Sequence, residues 1–307
     1  MKILVAGATG LVGSAIIRRL NSKQANVIGI SSKDVNLLDR ESTFSFLKEF
    51  SPNVVIDAAA KVGGIGANNS YPVEFLSENL RIQTNLMDAS HNANVDKFIF
   101  LGSSCIYPKL ASQPIKESEL LSGYLEPTNS AYALAKISGI ELIKSYRNEY
   151  GRNWISLMPA NLYGPGDNFN VNAGHVLPSL INKFHLAKTQ GMHSVELWGD
   201  GSPFREFLYV DDLADAVTYC LNHYNESDHL NIGSGEEVSI RELSEIISTV
   251  VEFTGIIEWN ANMPNGTPRK ILDSSKINSL GWRPRTKLKT GIKMTYEWFL
   301  QQPSIRA

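Results

Sequence analysis

The first half of the chain alternates two patterns of apolar residues. Short apolar runs predict strands, and stretches between them, at residues 14–20 and 42–50, repeat apolar residues at helical spacing. Short strands separated by helices form a parallel sheet with helices on both faces. The pattern therefore predicts an α/β fold with a doubly wound parallel sheet of the Rossmann type, whose ligands bind beyond the carboxyl ends of the strands. The four apolar runs are residues 3–5, 27–30, 54–56 and 98–101.

The pattern becomes less regular after Tyr163, where Gly-Pro-Gly breaks the alternation and a polar loop follows. Helices such as residues 239–254 then mix with isolated strands. We therefore predict a nucleotide-binding domain over residues 1–164 and a smaller mixed α/β, mainly substrate-binding C-terminal domain over residues 165–307. The segment of about 206–233 again predicts strand, helix and strand, and we expect it to return to the first domain.

Composition narrows the class of protein. The 307 residues are 43% hydrophobic and 20% charged with a net charge of −2, which excludes disorder and gives no global reason to bind nucleic acid or membrane. Two cysteines, Cys105 and Cys220, indicate thiols in a reducing compartment. The start of the chain resembles a secretory signal, but its small residues and Arg18-Arg19 favour a strand, a turn and a helix. We expect a cytoplasmic protein.

Three glycines, Gly7, Gly10 and Gly13, follow the first predicted strand and open a helix. Glycine lets the backbone approach a pyrophosphate, and the helix N-terminus offers free N–H groups. In this context the spacing predicts dinucleotide binding. The alternative is a tight turn without a ligand.

The loop after the second strand indicates which dinucleotide binds. An acidic residue there favours NAD, but Ser31, Ser32 and Lys33 come first and Asp34 only later. Two hydroxyls and a cation suit a 2′-phosphate, so we predict NADP(H). The alternative is that these are ordinary loop residues.

Tyr132 and Lys136 are four residues apart in a stretch with helical spacing, which places both side chains on one face. A lysine cation favours phenolate, so we expect Lys136 to lower the pKa of Tyr132 toward neutrality. Such a tyrosine exchanges a proton with an alcohol or a ketone. Ser103 and Ser104 follow the fourth strand, where a hydroxyl can polarise a carbonyl. The alternative for these serines is hydrogen bonding within a loop.

The glycine turn, the strand-end serine and Tyr-x-x-x-Lys occur in an order that resembles the extended short-chain dehydrogenase/reductase superfamily. Longer strings, including KVGGI, GSSCIYP and TPRK, resemble more specifically the GDP-L-fucose synthase family, which comprises GDP-4-keto-6-deoxy-mannose 3,5-epimerase-4-reductases. The resemblance runs from about residue 3 to about residue 300. The strings are residues 58–69, 101–108, 126–139, 161–169, 198–212 and 265–273.

The resemblance implies a three-step reaction. The C4 ketone of the sugar acidifies C3 and C5, where removing a proton and returning it on the other face inverts each centre. NADPH then delivers hydride to C4 while Tyr132 supplies a proton, which gives GDP-L-fucose. Cys105, whose thiolate can act as a base, and His175, as an acid on the opposite face, match the family's epimerisation pair. From the residues alone, Cys105 also fits a small buried hydrophobe and His175 a loop histidine.

The resemblance also implies the site residues. Ser103 rather than Ser104 matches the catalytic serine, and Lys136 tunes Tyr132 and binds the nicotinamide ribose. The implied catalytic set is Ser103, Cys105, Tyr132, Lys136 and His175. The implied cofactor-binding set is Gly7, Ala8, Thr9, Gly10, Leu11, Val12, Gly13, Ser32, Lys33, Leu101, Gly102, Ser103, Ser104, Tyr132, Lys136, Pro159, Ala160, Asn161, Leu162 and His175. The implied substrate-binding set is Lys183, Trp198, Arg205, Asn265 and Lys270, and no metal is expected.

The substrate-binding set suits a GDP-sugar, because cations hold a diphosphate and an aromatic face packs on a base or sugar. Taken singly, Lys183 and Lys270 also fit solvated surface charge, and Trp198 fits a core residue.

Three departures from the family pattern stand out. Ala8-Thr9 occupies the place where members often carry His-Arg, and Ser32 stands where an arginine can occur. Both weaken the preference for NADP(H) without reversing it. Asn265 replaces an aspartate, which leaves that nucleotide contact open.

Two other functions remain as alternatives. A nucleotide-sugar 4-epimerase or 4,6-dehydratase of the same superfamily recycles its cofactor and leaves Cys105 and His175 without a clear role. A non-catalytic dinucleotide-binding regulator is disfavoured by the intact Ser–Tyr–Lys set. The family is commonly a homodimer, and the Tyr132 helix and a helix over about residues 82–91 are the expected interface. The order of C3 and C5 inversion stays open, and so does which of Cys105 and His175 takes the first proton.

Overall fold

The structure of the protein, a computed structural model, describes residues 1–171, 174–263 and 265–302. Its first half alternates strands and helices as the apolar pattern predicts. The elements are β1 (Lys2–Ala6), α1 (Leu11–Ser22), β2 (Asn26–Ile30), α2 (Arg40–Phe50), β3 (Val54–Asp57), α3 (Ile65–Ser70), α4 (Pro72–Asn92), β4 (Lys97–Leu101), a 3-10 helix (Ser104–Ile106), α5 (Ser130–Tyr150) and β5 (Ile155–Pro159).

The second half begins after β5 and mixes short strands with helices. Its elements are β6 (Asn161–Tyr163), α6 (Val176–Thr189), β7 (Ser194–Trp198), β8 (Phe204–Tyr209), α7 (Val210–His223), β9 (Leu230–Ile232), β10 (Glu237–Ser239), α8 (Ile240–Val251), β11 (Ile256–Asn260), β12 (Arg269–Lys270), α9 (Ser275–Ser279) and α10 (Leu288–Leu300).

Six parallel strands form the central sheet in the order β2-β1-β3-β4-β5-β9. Strands β3, β4 and β5 are buried at every position, which explains their continuous apolar runs. Strand β2 lies at the sheet edge and is mostly exposed or half-buried. The chain moves one way from β1 to β2 and the other way from β3 onward, so the switch point lies between β1 and β3.

Helices cover both faces of this sheet. Helix α1 packs against α7, and α4 packs against both α2 and α5. Right-handed crossovers put α1 on one face and α2, α4 and α5 on the other, because the strand order reverses at the switch point. Helix α7 packs on α1, so the connection through α7 into β9 departs from this rule. The predicted doubly wound α/β fold is therefore confirmed. Within the described ranges, no helix combines the length and the apolar character that crossing a membrane requires.

Helix α4 differs from its prediction. It begins at Pro72, well before the expected start at about residue 82. Proline is tolerated in the first turn, where its missing N–H needs no partner. The buried face also carries Asn79 and Gln83, whose amides bond to backbone atoms, and these polar residues interrupt the apolar periodicity.

The second half builds its own hydrophobic cluster around Phe184, Ile247 and Phe299. Strand β8 pairs with β6, β10 and β12, and β7 pairs with β11. Within the segment that was expected to return, α7 packs on α1, and β9 pairs with β5 in the central sheet. Residues near the C-terminus, including Trp282, also join the first cluster.

Candidate active site

The glycine turn joins β1 to α1 at the switch point of the sheet. Gly7 has φ of +80°, and a Cβ there would lie 2.5 Å from the backbone oxygen of Ala58, so only glycine fits. A Cβ on Gly13 would lie 2.2 Å from the oxygen of Gly7, so α1 packs directly on the turn. Gly10 is the N-cap residue of α1. The turn thus presents a helix N-terminus at the carboxyl ends of the strands, the arrangement that binds phosphate.

The residues between and after these glycines lie at the same edge. The backbone N–H of Ala8 donates to Ile30 at the end of β2, at 2.9 Å. Thr9 is exposed, and Leu11 and Val12 form the first turn of α1, which contains no acidic side chain. A bound anion therefore meets no opposing charge from this turn.

The loop after β2 holds the carboxylate of Asp34 in an internal bond. The carboxylate of Asp34 accepts from the backbone N–H of Ser31 at 2.8 Å and from its hydroxyl at 2.7 Å. The hydroxyl bond, followed by the backbone bond, lowers the pKa of Asp34. Ser32 and Lys33 are exposed beside it.

Two further cofactor segments lie at the ends of adjacent strands. Leu101 ends β4 and pairs with Leu157 of β5, and Gly102 donates to the oxygen of Leu157 at 2.9 Å. The segment from Pro159 to Leu162 runs from the end of β5 into β6, and Ser104 is buried at the start of the 3-10 helix. These residues therefore lie at the same carboxyl edge of the sheet as the glycine turn.

The predicted Ser–Tyr–Lys set assembles at this edge. The hydroxyl of Ser103 lies close enough to the phenol of Tyr132 to lower the pKa of that phenol. Lys136, one turn further along α5, is 3% exposed and donates from Nζ to the oxygen of Leu101 at 2.9 Å. Its Nζ lies 4.7 Å from the ring centroid of Phe100 and 6.0 Å from that of Tyr132.

The electrostatics of Tyr132 differ from the prediction. Burial raises the pKa of its phenol, and the negative charges of Cys105 and then Asp57 add to this, against the opposing bond from Ser103. Burial also lowers the pKa of Lys136, against the pull of Asp57. The expectation that Lys136 lowers the pKa of Tyr132 is therefore wrong for this structure, because desolvation of the phenol outweighs the one effect that lowers its pKa, which comes from Ser103. At neutral pH, Tyr132 is a phenol that holds a proton to donate.

Asp57 is a buried carboxyl that the sequence reasoning missed. It ends β3 and is 1% exposed. One oxygen accepts from the N–H of Ala59 at 3.1 Å, while the other has no partner within the described ranges. Burial raises the pKa of Asp57 to about 6, opposed by the charge of Lys136. An acidic residue that ends an apolar strand at the ligand-binding edge was the available signal.

Cys105 lies one turn from this set, in the 3-10 helix. Its backbone N–H donates to the hydroxyl of Ser103 at 3.2 Å, and its thiol is half-buried. The ammonium of Lys270 lies 3.5 Å from its sulfur. Cys220, by contrast, is fully buried in α7. The structure therefore brings Cys105 to the reaction edge together with a lysine that was expected to bind substrate.

His175 is the N-cap residue of α6, and it follows residues 172–173, which lie outside the described ranges. Its surface is exposed, yet surrounding protein atoms desolvate the ring and lower the pKa of His175. Both observations fit a histidine in an open cleft. Near neutral pH its ring is largely neutral, so it must gain a proton before it acts as an acid.

Two of the predicted substrate residues lie on paired strands, and two others lie at or against β7. Arg205 on β8 and Lys270 on β12 are cross-strand partners, and burial lowers the pKa of Arg205. Trp198, at the end of β7, is 63% exposed and thus not the core residue that was the alternative. Lys183 donates from Nζ to the oxygen of Glu196 on β7.

Asn265 holds a turn in place. Its side-chain oxygen accepts from the backbone N–H of Asp200 at 2.8 Å. A Cβ on Gly199 would lie 2.1 Å from that same oxygen, so the turn after Trp198 needs glycine here. Asn265 is thus next to the exposed tryptophan.

Glu206 is a second residue that sequence reasoning missed. It is 1% exposed on β8, and its carboxylate accepts from the N–H groups of Leu272 and Gly235, each at 2.8 Å. The bond from Leu272 fastens the segment that follows Lys270 to β8, and the bond from Gly235 fastens the loop between β9 and β10. No cluster of potential metal ligands occurs among the residues that the structure covers.

The Ser–Tyr–Lys set at the carboxyl edge of a Rossmann-type sheet, with a second lobe beside it, defines a short-chain dehydrogenase/reductase of the extended form. The model of the NAD dependent epimerase/dehydratase family matches residues 3–233. The chain belongs to this family and, within it, to the family of the GDP-L-fucose synthases that follow. The resemblance predicted from the sequence is confirmed.

Three relatives illustrate the similarity. GDP-L-fucose synthase 1 of Arabidopsis thaliana is 52% identical over 98% of this chain and 93% of its own length. GDP-L-fucose synthase of Escherichia coli K12 is 46% identical over 98% and 97%. A solved GDP-L-fucose synthetase of Naegleria fowleri bound to NADP superposes with a TM-score of 0.89 at 30% identity, over 97% of this chain and 94% of that chain.

Proposed function

We propose that the protein converts GDP-4-keto-6-deoxy-D-mannose to GDP-L-fucose by 3,5-epimerisation and NADPH-dependent reduction of the 4-ketone. The observation that carries the proposal is the meeting of two kinds of proton-transfer group at one edge. The phenol of Tyr132 lies near the thiol of Cys105 and the hydroxyl of Ser103, and Lys270 contacts the same thiol. A reductase alone has no use for the thiol.

Epimerisation uses the thiol and the histidine. Cys105, as a thiolate, takes a proton from C3 or C5 of the substrate, and the electron pair of that C–H bond moves to the ketone oxygen as an enolate. The hydroxyls of Ser103 and Tyr132 stabilise the oxygen. Protonated His175 returns a proton to the opposite face, which inverts the carbon and restores the ketone.

Reduction uses the phenol. NADPH, when bound, supplies a hydride for C4. Tyr132 donates its proton to the ketone oxygen, so the product is an alcohol and the phenol becomes phenolate. Burial keeps Tyr132 protonated until that moment, and the ammonium of Lys136 stabilises the phenolate that forms. Solvent or a neighbouring group then returns the proton to the phenol.

The residues at the glycine turn fit NADP(H). The turn and the first residues of α1 offer backbone N–H groups to the pyrophosphate. Asp34 is engaged by Ser31, while the exposed Ser32 and Lys33 offer two kinds of donor to a 2′-phosphate. The relative from Naegleria fowleri was solved with NADP.

A GDP-sugar fits the charges of the second lobe. Arg205 and Lys270 are neighbouring cations, and within the described ranges neither has a carboxylate within 4.0 Å, so a diphosphate meets unpaired positive charge. The exposed ring of Trp198 offers a stacking face for the base or the sugar. Lys183 and Asn265 border the same lobe and complete the proposed substrate contacts.

We also propose a homodimer and a cytoplasmic location. Helices α4 and α5 pack side by side and expose Val73, Leu134 and Tyr150, at 76%, 46% and 53% of their surfaces. Cys105 and Cys220 are free thiols, which suits a reducing compartment. Light scattering of the purified protein measures its mass, and cell fractionation locates it.

The proposed function is tested by mixing the protein with NADPH and GDP-4-keto-6-deoxy-mannose in deuterated water. We expect stoichiometric NADPH oxidation and deuterium at C3 and C5 of the product by NMR. Exchange without oxidation would reject the reductase half. The absence of both oxidation and exchange would reject the proposal. A screen of 4-epimerase and 4,6-dehydratase substrates would then follow.

A further inference from the structure

Strand β12 places Lys270 at the reaction edge, where strand pairing and two further hydrogen bonds hold it. It pairs with β8, with Lys270 opposite Arg205. The next residue, Ile271, donates to the side-chain oxygen of Gln113 at 3.0 Å, and Leu272 donates to the buried carboxylate of Glu206. The backbone on the C-terminal side of Lys270 is therefore held to two other segments of the chain.

The ammonium of Lys270 is directed at sulfur rather than at a carboxylate. Its Nζ lies 3.5 Å from Cys105 Sγ, within hydrogen-bonding distance of sulfur. Its neighbour Arg269 points to Glu237 instead, with two bonds of 2.7 and 2.9 Å. Two adjacent cations of one strand thus have different tasks, since one is neutralised by an acid and the other contacts the thiol.

We propose that Lys270 is a positioning residue for epimerisation, which holds Cys105 as a thiolate and aims it at the substrate. The inference rests on the proposed function and deepens it. The thiol releases its proton to solvent, Lys270 keeps all three of its protons, and the thiolate then accepts the proton from C3 or C5. A nearby cation stabilises a thiolate, which is the nucleophilic and basic form of cysteine.

This assignment gives Lys270 a second task beside the diphosphate contact proposed above, which it shares with Arg205. Arg205 has a planar group with several donors and serves the diphosphate. Lys270 is a compact point charge, and the structure places it against the sulfur. Loss of Lys270 is therefore expected to affect the thiol even when no substrate is present.

The test measures alkylation of Cys105 by iodoacetamide in the absence of substrate. Because Cys220 is fully buried, Cys105 is the thiol that reacts first. We expect Lys270→Met to slow alkylation about tenfold at pH 7, because less of the thiol is ionised. At high pH, where both proteins are thiolates, the two rates should converge. Lys270→Arg keeps a positive charge and should retain most of the wild-type rate.

Two control variants isolate the effect. Arg269→Met removes a cation from the same strand and should leave the alkylation rate unchanged, and Cys105→Ser should abolish the fast reaction. Equal rates in wild type and Lys270→Met at pH 7 would overturn the proposal. If Lys270→Met does not bind NADPH or melts early, Lys270→Gln, which keeps a polar group, replaces it in the same comparison.

The outcome is independent of the proposed function. Alkylation needs no sugar, so a rate difference stands even if the GDP-4-keto sugar is not a substrate. Conversely, the wild-type protein could turn over the substrate fully while wild type and Lys270→Met are alkylated at equal rates. That result would reject Lys270 as the partner of the thiol and leave the proposed function intact. When both hold, deuterium exchange at C3 and C5 should slow in Lys270→Met and recover in Lys270→Arg.

Discussion

The candidate active site has a reductase half, formed by Ser103, Tyr132 and Lys136, and an epimerase half, which contains Cys105 and Lys270. The two halves are built differently. Ser103, Tyr132 and Lys136 lie at the end of β4 and on one turn of α5, so regular elements set their spacing. Cys105 and Lys270, by contrast, are 165 positions apart in the chain and meet because β12 pairs with β8. The reductase half therefore depends on a local pattern, while the epimerase half depends on how the second lobe packs on the first.

The two halves also differ in charge. In the reductase half, burial raises the pKa of Tyr132 and lowers that of Lys136, so both shifts favour the uncharged forms. The second lobe instead presents Arg205 and Lys270 as cations with no carboxylate close by within the described ranges. A neutral proton donor next to a cationic anchor suits a substrate whose diphosphate is charged and whose reacting ketone is not.

The largest expected effect is a loss of ketone reduction while epimerisation continues. Tyr132→Phe removes the proton donor, so we expect the rate of NADPH oxidation to fall by about 10²–10⁴. Deuterium exchange at C3 and C5 should fall much less, because Cys105 remains and Ser103 still polarises the ketone. NADPH binding, measured by fluorescence, serves as the control. Full NADPH turnover by this variant would show that Tyr132 is not the donor.

The next largest effect is a loss of epimerisation while NADPH binding is retained. Cys105→Ser replaces a base with a hydroxyl that ionises far less readily, and we expect exchange at C3 and C5 to slow by about 10². NADPH affinity should stay at the wild-type level, because the Cys105 thiol is not one of the proposed cofactor contacts. Unchanged deuterium incorporation would reject Cys105 as the base.

A smaller effect concerns the buried acid of the reductase half. The pKa of Asp57 is raised to about 6, so the folded state binds its proton more tightly than the unfolded chain does. Stability from this group is therefore present at low pH and lost as pH rises from about 4 to about 6, by up to about 3 kcal/mol. Asp57→Asn should remove that loss.

Chemical unfolding at several pH values checks the sign. The free energy of unfolding of wild type should fall relative to Asp57→Asn across that window. Asp34→Asn is the matched control, because the pKa of Asp34 is lowered and its contribution is instead lost as pH falls. A constant difference between wild type and Asp57→Asn would mean that Asp57 keeps an ordinary pKa.

The sequence predicts most of the reductase half and less of the rest. Apolar runs locate β1 to β4 because those strands are buried, and a four-residue spacing suffices for Tyr132 and Lys136. The start of α4 differs from its prediction because Asn79 lies on the buried face of that part of the helix. Asp57 and Glu206 were missed because burial of an acid is a property of the packed fold, which periodicity does not encode. The contact of Lys270 with Cys105 requires strand pairing between distant segments, which spacing cannot supply.

The smallest expected effect concerns the preference of the reductase half for NADPH over NADH. Thr9 is exposed in the glycine turn, so Thr9→Arg can extend a guanidinium into solvent without disturbing the core. If the 2′-phosphate binds there, the charge-assisted bond should tighten NADPH relative to NADH by about tenfold. Fluorescence titration of both cofactors gives the ratio, and Thr9→Met controls for side-chain length. No gain in the ratio would place the 2′-phosphate nearer Ser32 and Lys33, where Lys33→Met should then weaken NADPH selectively. In either case deuterium exchange should stay unchanged, because the glycine turn belongs to the reductase half and contributes nothing to the thiol.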